Sequence, residues 1–168
     1  MSVDVEIRAL LSGPAETAAF GRHLGTLLRA GDWIALIGEL GAGKTTLAAS
    51  VAEGIHPGTK GRSPTYVLVE VYGRNPAIVH ADLYRLRAEE EFDTLGIEDL
   101  AENAVVVIEW ADRAAGRLPL ERLDLELRYA GESAREVRIR PRGARWSRIV
   151  GEGLLDRERW ANAPYSGN

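Results

Sequence analysis

Gly38-Glu39-Leu40-Gly41-Ala42-Gly43-Lys44-Thr45 decides how this 168-residue chain is read. The stretch fits G-x-x-x-x-G-K-[ST], a loop whose backbone cradles phosphates. Its flanks suit the motif. Upstream, Trp33-Ile34-Ala35-Leu36-Ile37 is a short apolar run of the kind that forms a buried strand. Downstream, Thr46 to Glu53 reads as a helix, with Gly54 as its expected stop. Glycines let backbone N–H groups turn toward an anion, and the helix start adds unpaired donors and a positive dipole end. Lysine usage sharpens the reading. Of 21 Lys+Arg residues only Lys44 and Lys60 are lysine, and one of them falls inside the loop. A compact ammonium fits between phosphate oxygens where a planar guanidinium does not.

Composition sets the frame. Hydrophobic content of 45% and charged content of 27% are ordinary for a folded domain. The length favours one domain over residues 1–168, with 143–168 as a C-terminal helix and tail. The absence of cysteine excludes disulfides and thiolate metal sites. No basic start precedes an apolar signal region, and no apolar run reaches membrane-spanning length, so a cytoplasmic location without membrane contact is expected. A net charge of −4 argues against a polyelectrolyte binder, though it leaves room for a local basic patch.

Val3 to Leu10 alternates as a strand, and Ser12-Gly13-Pro14 opens a helix expected to reach Arg29 with Phe20, Leu24, Leu27 and Leu28 buried. His56 to Pro64 is rich in glycine and proline and reads as a loop. Tyr66–Tyr72 and Ala77–Asp82, joined by Gly73-Arg74-Asn75-Pro76, predict an antiparallel hairpin. Glu89 to Leu95 reads as a short acidic helix, and Ala104–Glu109 as the most buried strand. Leu123–Tyr129 and Arg135–Arg140 predict a second antiparallel pair, and Trp146 to Trp160 a last helix. The order implies an α/β fold, with a mixed, mostly parallel sheet flanked by helices and antiparallel hairpin additions.

A phosphate loop works with magnesium, held in part by the loop hydroxyl, here Thr45, and by an acid ending a buried strand. Glu109 ends the Ala104–Glu109 strand and is the candidate, although aspartate is the commoner residue there. Asp82 ends the hairpin's return strand. It could hold magnesium through water, orient an attacking water, or simply be a solvated strand-end acid. His80 reads as structural, since a lone histidine makes no metal site. Ser63-Pro64-Thr65 reads as turn chemistry.

Taken in order, Gly38 to Thr46, Ser63-Pro64-Thr65-Tyr66, His80-Ala81-Asp82-Leu83-Tyr84-Arg85-Leu86 and Glu109-Trp110 resemble the TsaE family, also called YjeE. These are small bacterial P-loop ATPases of tRNA threonylcarbamoyladenosine synthesis. The resemblance covers about residues 5 to 140, and Leu95-Gly96-Ile97 adds to it. It implies that Glu39, Leu40, Gly41, Ala42, Gly43, Lys44, Thr45 and Thr46 line ATP, with Thr45 and Glu109 as Mg2+ ligands. It implies Lys44, Asp82 and Glu109 as the catalytic set and Thr65 as a nucleotide-sensing switch hydroxyl. Thr17 would lie near the nucleotide, and Trp110 either there or in the core. The partners implied are TsaD and TsaB, with any tRNA contact running through that complex, and a hydrolysis rate that is slow for the chain alone.

Two other readings remain open on sequence: a small P-loop metabolite kinase, and a nucleotide switch that does not hydrolyse. Arg135, Arg138, Arg140, Arg142, Arg145 and Arg148 form either a solvated face or an anion contact.

Overall fold

The computed structural model describes residues 5–60 and 68–154. Seven strands form one sheet: β1 (Ile7–Leu11), β2 (Trp33–Gly38), β3 (Val69–Tyr72), β4 (Ala77–Asp82), β5 (Ala104–Glu109), β6 (Arg122–Tyr129) and β7 (Arg135–Arg142), in the order β1-β7-β6-β2-β5-β4-β3. The centre, β6-β2-β5-β4, is parallel. The antiparallel pairings lie on its flanks, as β1–β7, β7–β6 and β4–β3. The sheet is thus mixed as expected, with its parallel part confined to the centre.

The helices explain why the central strands read as continuous apolar runs. Alternate residues of a strand face opposite sides of the sheet. Ile34 and Leu36 of β2 and Val105 and Val107 of β5 pack with Phe20 and Leu24 of α1 (Pro14–Gly25), Leu47 and Val51 of α2 (Lys44–Ile55) and Trp146 of α4 (Ala144–Ile149). Their neighbours Trp33, Ala35, Val106 and Ile108 meet Leu83, Phe92, Ile97 and Ala114 on the other side. That second face is covered by short elements: 3-10 helices over Glu89–Leu95 and Ala111–Arg117, and α3 (Ile97–Ala101). Both faces of β5 are therefore buried, which is the usual state of a parallel central strand.

Several expectations are corrected. Helix α1 ends at Gly25 rather than near Arg29, and Leu27 is exposed. The chain leaves the helix through tight turns, and the Asp32 carboxylate fixes the exit by accepting the Arg29 N–H at 2.9 Å. Gly54 does not stop α2 but lies inside it. A side chain there would overlap the Arg22 backbone, so this glycine lets α1 and α2 approach closely. The acidic segment Glu89–Leu95 is a 3-10 helix, while α3 and the Ala111–Arg117 turns were not foreseen. The last helix starts at Ala144 and passes at Val150 into a π-helical turn. Its expected continuation to Trp160, the start of the hairpin at Tyr66, and the Ser63-Pro64-Thr65 switch segment lie outside the described residues.

Candidate functional site

The phosphate loop links the C-terminal end of β2 to the start of α2, between β5 and β6. The chain leaves β2 through α2 on one face of the sheet and leaves β5 through Ala111–Arg117 on the other, an arrangement that opens a crevice beyond the strand ends. Gly43 has φ 102, open to glycine and strained for other residues, and from it the chain turns into α2. No side chain caps that helix start, which leaves its first N–H groups without a side-chain partner.

Lys44 is buried, and its Nζ donates to the carbonyls of Gly38 and Glu39, at 2.7 Å each. The same nitrogen lies 4.0 Å from the centre of the Trp110 ring, a cation–π contact. Burial pulls the Lys44 ammonium below its ordinary pKa, opposed by the carboxylates of Glu109, Asp112 and Asp82. Trp110 adopts a left-handed backbone with φ 57 immediately after β5, which turns its ring toward the loop. Tyr84 packs against that ring at 5.0 Å, and the Arg113 guanidinium lies over both rings.

A polar chain runs beside the lysine, from the exposed Thr45 into the core. Thr45 Oγ1 donates to Glu109 Oε2 at 2.8 Å. Glu109 Oε1 meets His80 Nε2 at 2.9 Å, and both side chains are almost fully buried. An ionised Glu109 only accepts, and it would then take this bond from an Nε2–H of His80. Sheet register explains the meeting: Asp82 aligns with Glu109 and His80 with Val107, so His80, Asp82 and Glu109 share one face. Asp82 Oδ1 accepts the Tyr84 N–H at 2.9 Å. Burial raises the Asp82 pKa, helped by the charge of Glu109 and offset by the Tyr84 N–H, His80 and Lys44.

A hydroxyl and a carboxylate held in contact beside an uncapped helix start fit magnesium carried in on phosphates. That ion takes few protein ligands and keeps phosphate and water oxygens. Among the described residues no group of three or more His, Asp or Glu side chains forms a protein cage for a metal.

The comparisons with known proteins give the family and the fold. The family model for "Threonylcarbamoyl adenosine biosynthesis protein TsaE" matches residues 11–137. The chain belongs to the TsaE family. It is 41% identical over 153 residues to the tRNA threonylcarbamoyladenosine biosynthesis protein TsaE of Streptomyces coelicolor, covering 87% of this chain and 95% of the relative. The corresponding Bacillus subtilis protein is 33% identical over 141 residues, covering 83% and 88%. Among solved structures, Bacillus subtilis YdiB superposes with a TM-score of 0.73 at 26% identity, covering 90% of this chain and 96% of that one. The family role is in threonylcarbamoyladenosine biosynthesis, and its fold is the mixed sheet described above.

Lys44, Thr45, Glu109, Trp110 and Asp82 therefore converge on one end of the sheet. Thr46 is exposed at the start of α2. The Thr17 hydroxyl is donated to the Gly13 carbonyl of its own helix at 3.2 Å rather than into the loop. Sequence reasoning set His80 aside, yet it is the direct partner of Glu109. Aligning the ends of the two parallel strands would have found it, because a residue two before Asp82 must share its face. Two residues at the end of the β6–β7 hairpin, Tyr129 and Arg135, also reach the loop unforeseen. The arginine face of β7 is neutralised. Arg138 pairs with Glu136, Arg140 with Glu6 and Glu126, and Arg142 with Asp124, while Arg145 on α4 pairs with Asp32. That favours the solvated-face reading over an anion contact. Among the described residues no helix is long and apolar enough to cross a membrane.

Proposed function

We propose that the chain binds Mg·ATP in the phosphate loop and hydrolyses it, supporting the threonylcarbamoyladenosine modification of tRNA position 37 with TsaD and TsaB in the cytoplasm. The observation that carries this reading is the chain from the exposed Thr45 hydroxyl to the buried Glu109 and His80, flanked by Lys44 and Asp82. Thr45 and Glu109 serve Mg·ATP binding in any case, and the second acid, Asp82, level with Glu109 at the strand ends, is what a binding scaffold alone does not need.

Each residue then has a task. The loop N–H groups and the α2 start bind phosphate oxygens. Lys44 exchanges the Gly38 and Glu39 carbonyls for phosphate oxygens and neutralises charge. Thr45 and Glu109 hold magnesium, which shields the triphosphate when bound. His80 keeps Glu109 aimed. Asp82, level with Glu109 at the strand ends and with a raised proton affinity, orients the attacking water and takes up its proton. With little covalent chemistry to perform, the site works by positioning and electrostatics, in keeping with a slow rate for the chain alone.

The test is phosphate release from Mg·ATP by the chain alone and with its TsaD–TsaB pair. Slow release that the pair stimulates supports the reading. ATP binding without release points to a switch. Transfer of the phosphoryl group to a metabolite instead of water points to a kinase.

A further inference from the structure

Three consecutive carbonyls of the phosphate loop are bound from the side of the β6–β7 hairpin. Tyr129 Oη donates to the Leu40 carbonyl at 2.7 Å. Arg135 Nε donates to the Ala42 carbonyl at 3.1 Å, and its Nη2 reaches the Gly41 carbonyl at 3.4 Å. The two side chains are themselves a pair. Tyr129 and Arg135 are opposite each other at the end of the hairpin, and the guanidinium lies 4.3 Å from the centre of the phenol ring.

The consequence follows from peptide geometry. In a planar trans peptide, a carbonyl and the N–H of the next residue point in opposite directions. Holding the Leu40 and Ala42 carbonyls toward the hairpin therefore turns the N–H groups of Gly41 and Gly43 the other way, into the cradle. The Ala42 N–H closes the turn on the Glu39 carbonyl at 3.1 Å. Gly41 fits the same arrangement. Its φ is +76, and a Cβ there would come 2.8 Å from Tyr129 Oη. A glycine-rich loop is costly to order because its residues lose the most backbone freedom. A clasp that holds its carbonyls from outside meets that cost before a ligand arrives.

We propose that Tyr129 and Arg135 are positioning residues that preorganise the phosphate loop and so set its affinity for nucleotide phosphates. This rests on the nucleotide-binding reading above and extends it to two residues outside the motif, on strands distant in sequence. Neither is assigned to touch nucleotide. They act through the Leu40, Gly41 and Ala42 backbone.

The experiment is a titration of ATP and ADP against the full chain and three variants, by calorimetry, with thermal melts in the absence of nucleotide. Tyr129→Phe keeps the ring stacked on Arg135 and removes one hydrogen bond, so both nucleotides should bind about two- to tenfold more weakly. Arg135→Gln loses the fork and the charge and should weaken both by about tenfold or more. Arg135→Lys keeps the charge and loses the fork, so its affinity should fall between wild type and Arg135→Gln. Under turnover, the loss should appear in KM more than in kcat. Tyr129 is half exposed, so its phenylalanine variant keeps the test informative should an Arg135 variant fail to fold. If the unaltered chain binds ATP and Tyr129→Phe binds it equally well, the clasp is overturned while nucleotide binding stands. If Arg135→Lys binds like wild type, charge rather than the fork carries the effect, and the clasp is again overturned. If the unaltered chain binds no ATP, the nucleotide reading fails and the clasp falls with it.

Discussion

Replacing His80 by leucine tests the buried end of the polar chain directly. The His80–Glu109 contact is 2.9 Å long, with side chains 1% and 2% exposed, so water cannot substitute for the lost partner. A hydrogen bond to a charged group is worth about 1.5–3 kcal/mol, and a buried acceptor left alone adds a desolvation cost. In a chain of this size that corresponds to a fall in melting temperature of roughly 3–12 °C. Function should suffer separately. Glu109 also accepts from Thr45, and without His80 its second oxygen loses the partner that fixes its direction. If the same energy is lost at the transition state, phosphate release at saturating Mg·ATP falls by roughly 10- to 150-fold. His80→Gln keeps an N–H donor near the position of Nε2 and should recover much of the rate. That recovery separates positioning from simple packing. A leucine variant that melts lower yet releases phosphate within about twofold of wild type would refute the reasoning. So would a glutamine variant no better than leucine.

Four further outcomes follow from the geometry. Asp82→Asn preserves the bond to the Tyr84 N–H, so ATP affinity measured by calorimetry should hold while phosphate release is lost. The same variant carries a pH signature. The Asp82 pKa is raised in the folded state, so its contribution to stability is fully present at low pH and is lost as pH rises through that raised value. Asp82→Asn should therefore melt higher than wild type at neutral pH, with the gain fading as pH falls toward the ordinary carboxylate range. Lys44→Ala should weaken ATP binding by about 10- to 150-fold, the worth of a hydrogen bond to a charged group. Equal affinity by calorimetry would count against the loop assignment. Gly54→Ala should destabilise by about 1–3 kcal/mol because its methyl group meets the Arg22 backbone, whereas helix propensity alone predicts a gain. A thermal melt decides the sign.

The parts of the site that were legible in sequence are those encoded by neighbours along the chain. The loop, its strand and its helix are contiguous, and β5 declared its burial by an unbroken apolar run ending in Glu109. The β3–β4 hairpin was readable because a glycine–proline turn separates two alternating segments. What was hidden depends on register and on contacts between distant segments. His80 and Glu109 are 29 positions apart and meet only because β4 and β5 align their ends. Tyr129 lies 89 positions from Leu40, and nothing in its alternating strand marks it as a partner of a loop. Gly54 looked like a helix stop because propensity counts the missing side chain as a cost, whereas the α1–α2 contact needs that side chain to be missing. The short helices over the second face escaped because a 3-10 turn is too brief to show a period.

The donors to the phosphate loop are of two kinds, and the difference bears on how the site would respond to a ligand. The Leu40, Gly41 and Ala42 carbonyls take theirs from the β6–β7 hairpin, which lies outside the cradle. Those bonds can persist when phosphates enter. The Gly38 and Glu39 carbonyls take theirs from Lys44, the group that phosphates would claim. Glu39 keeps the Ala42 N–H when the lysine leaves, but the lysine is also drawn by the Trp110 ring. Nucleotide affinity is therefore a difference. The attraction of Lys44 to phosphate oxygens must exceed the two short carbonyl bonds and the cation–π interaction that the lysine gives up. Lys44→Ala measures that difference rather than the full strength of the ammonium–phosphate bond. By the same logic Trp110→Leu, which releases one competitor and leaves the loop carbonyls in place, loosens the hold on the lysine before any ligand arrives.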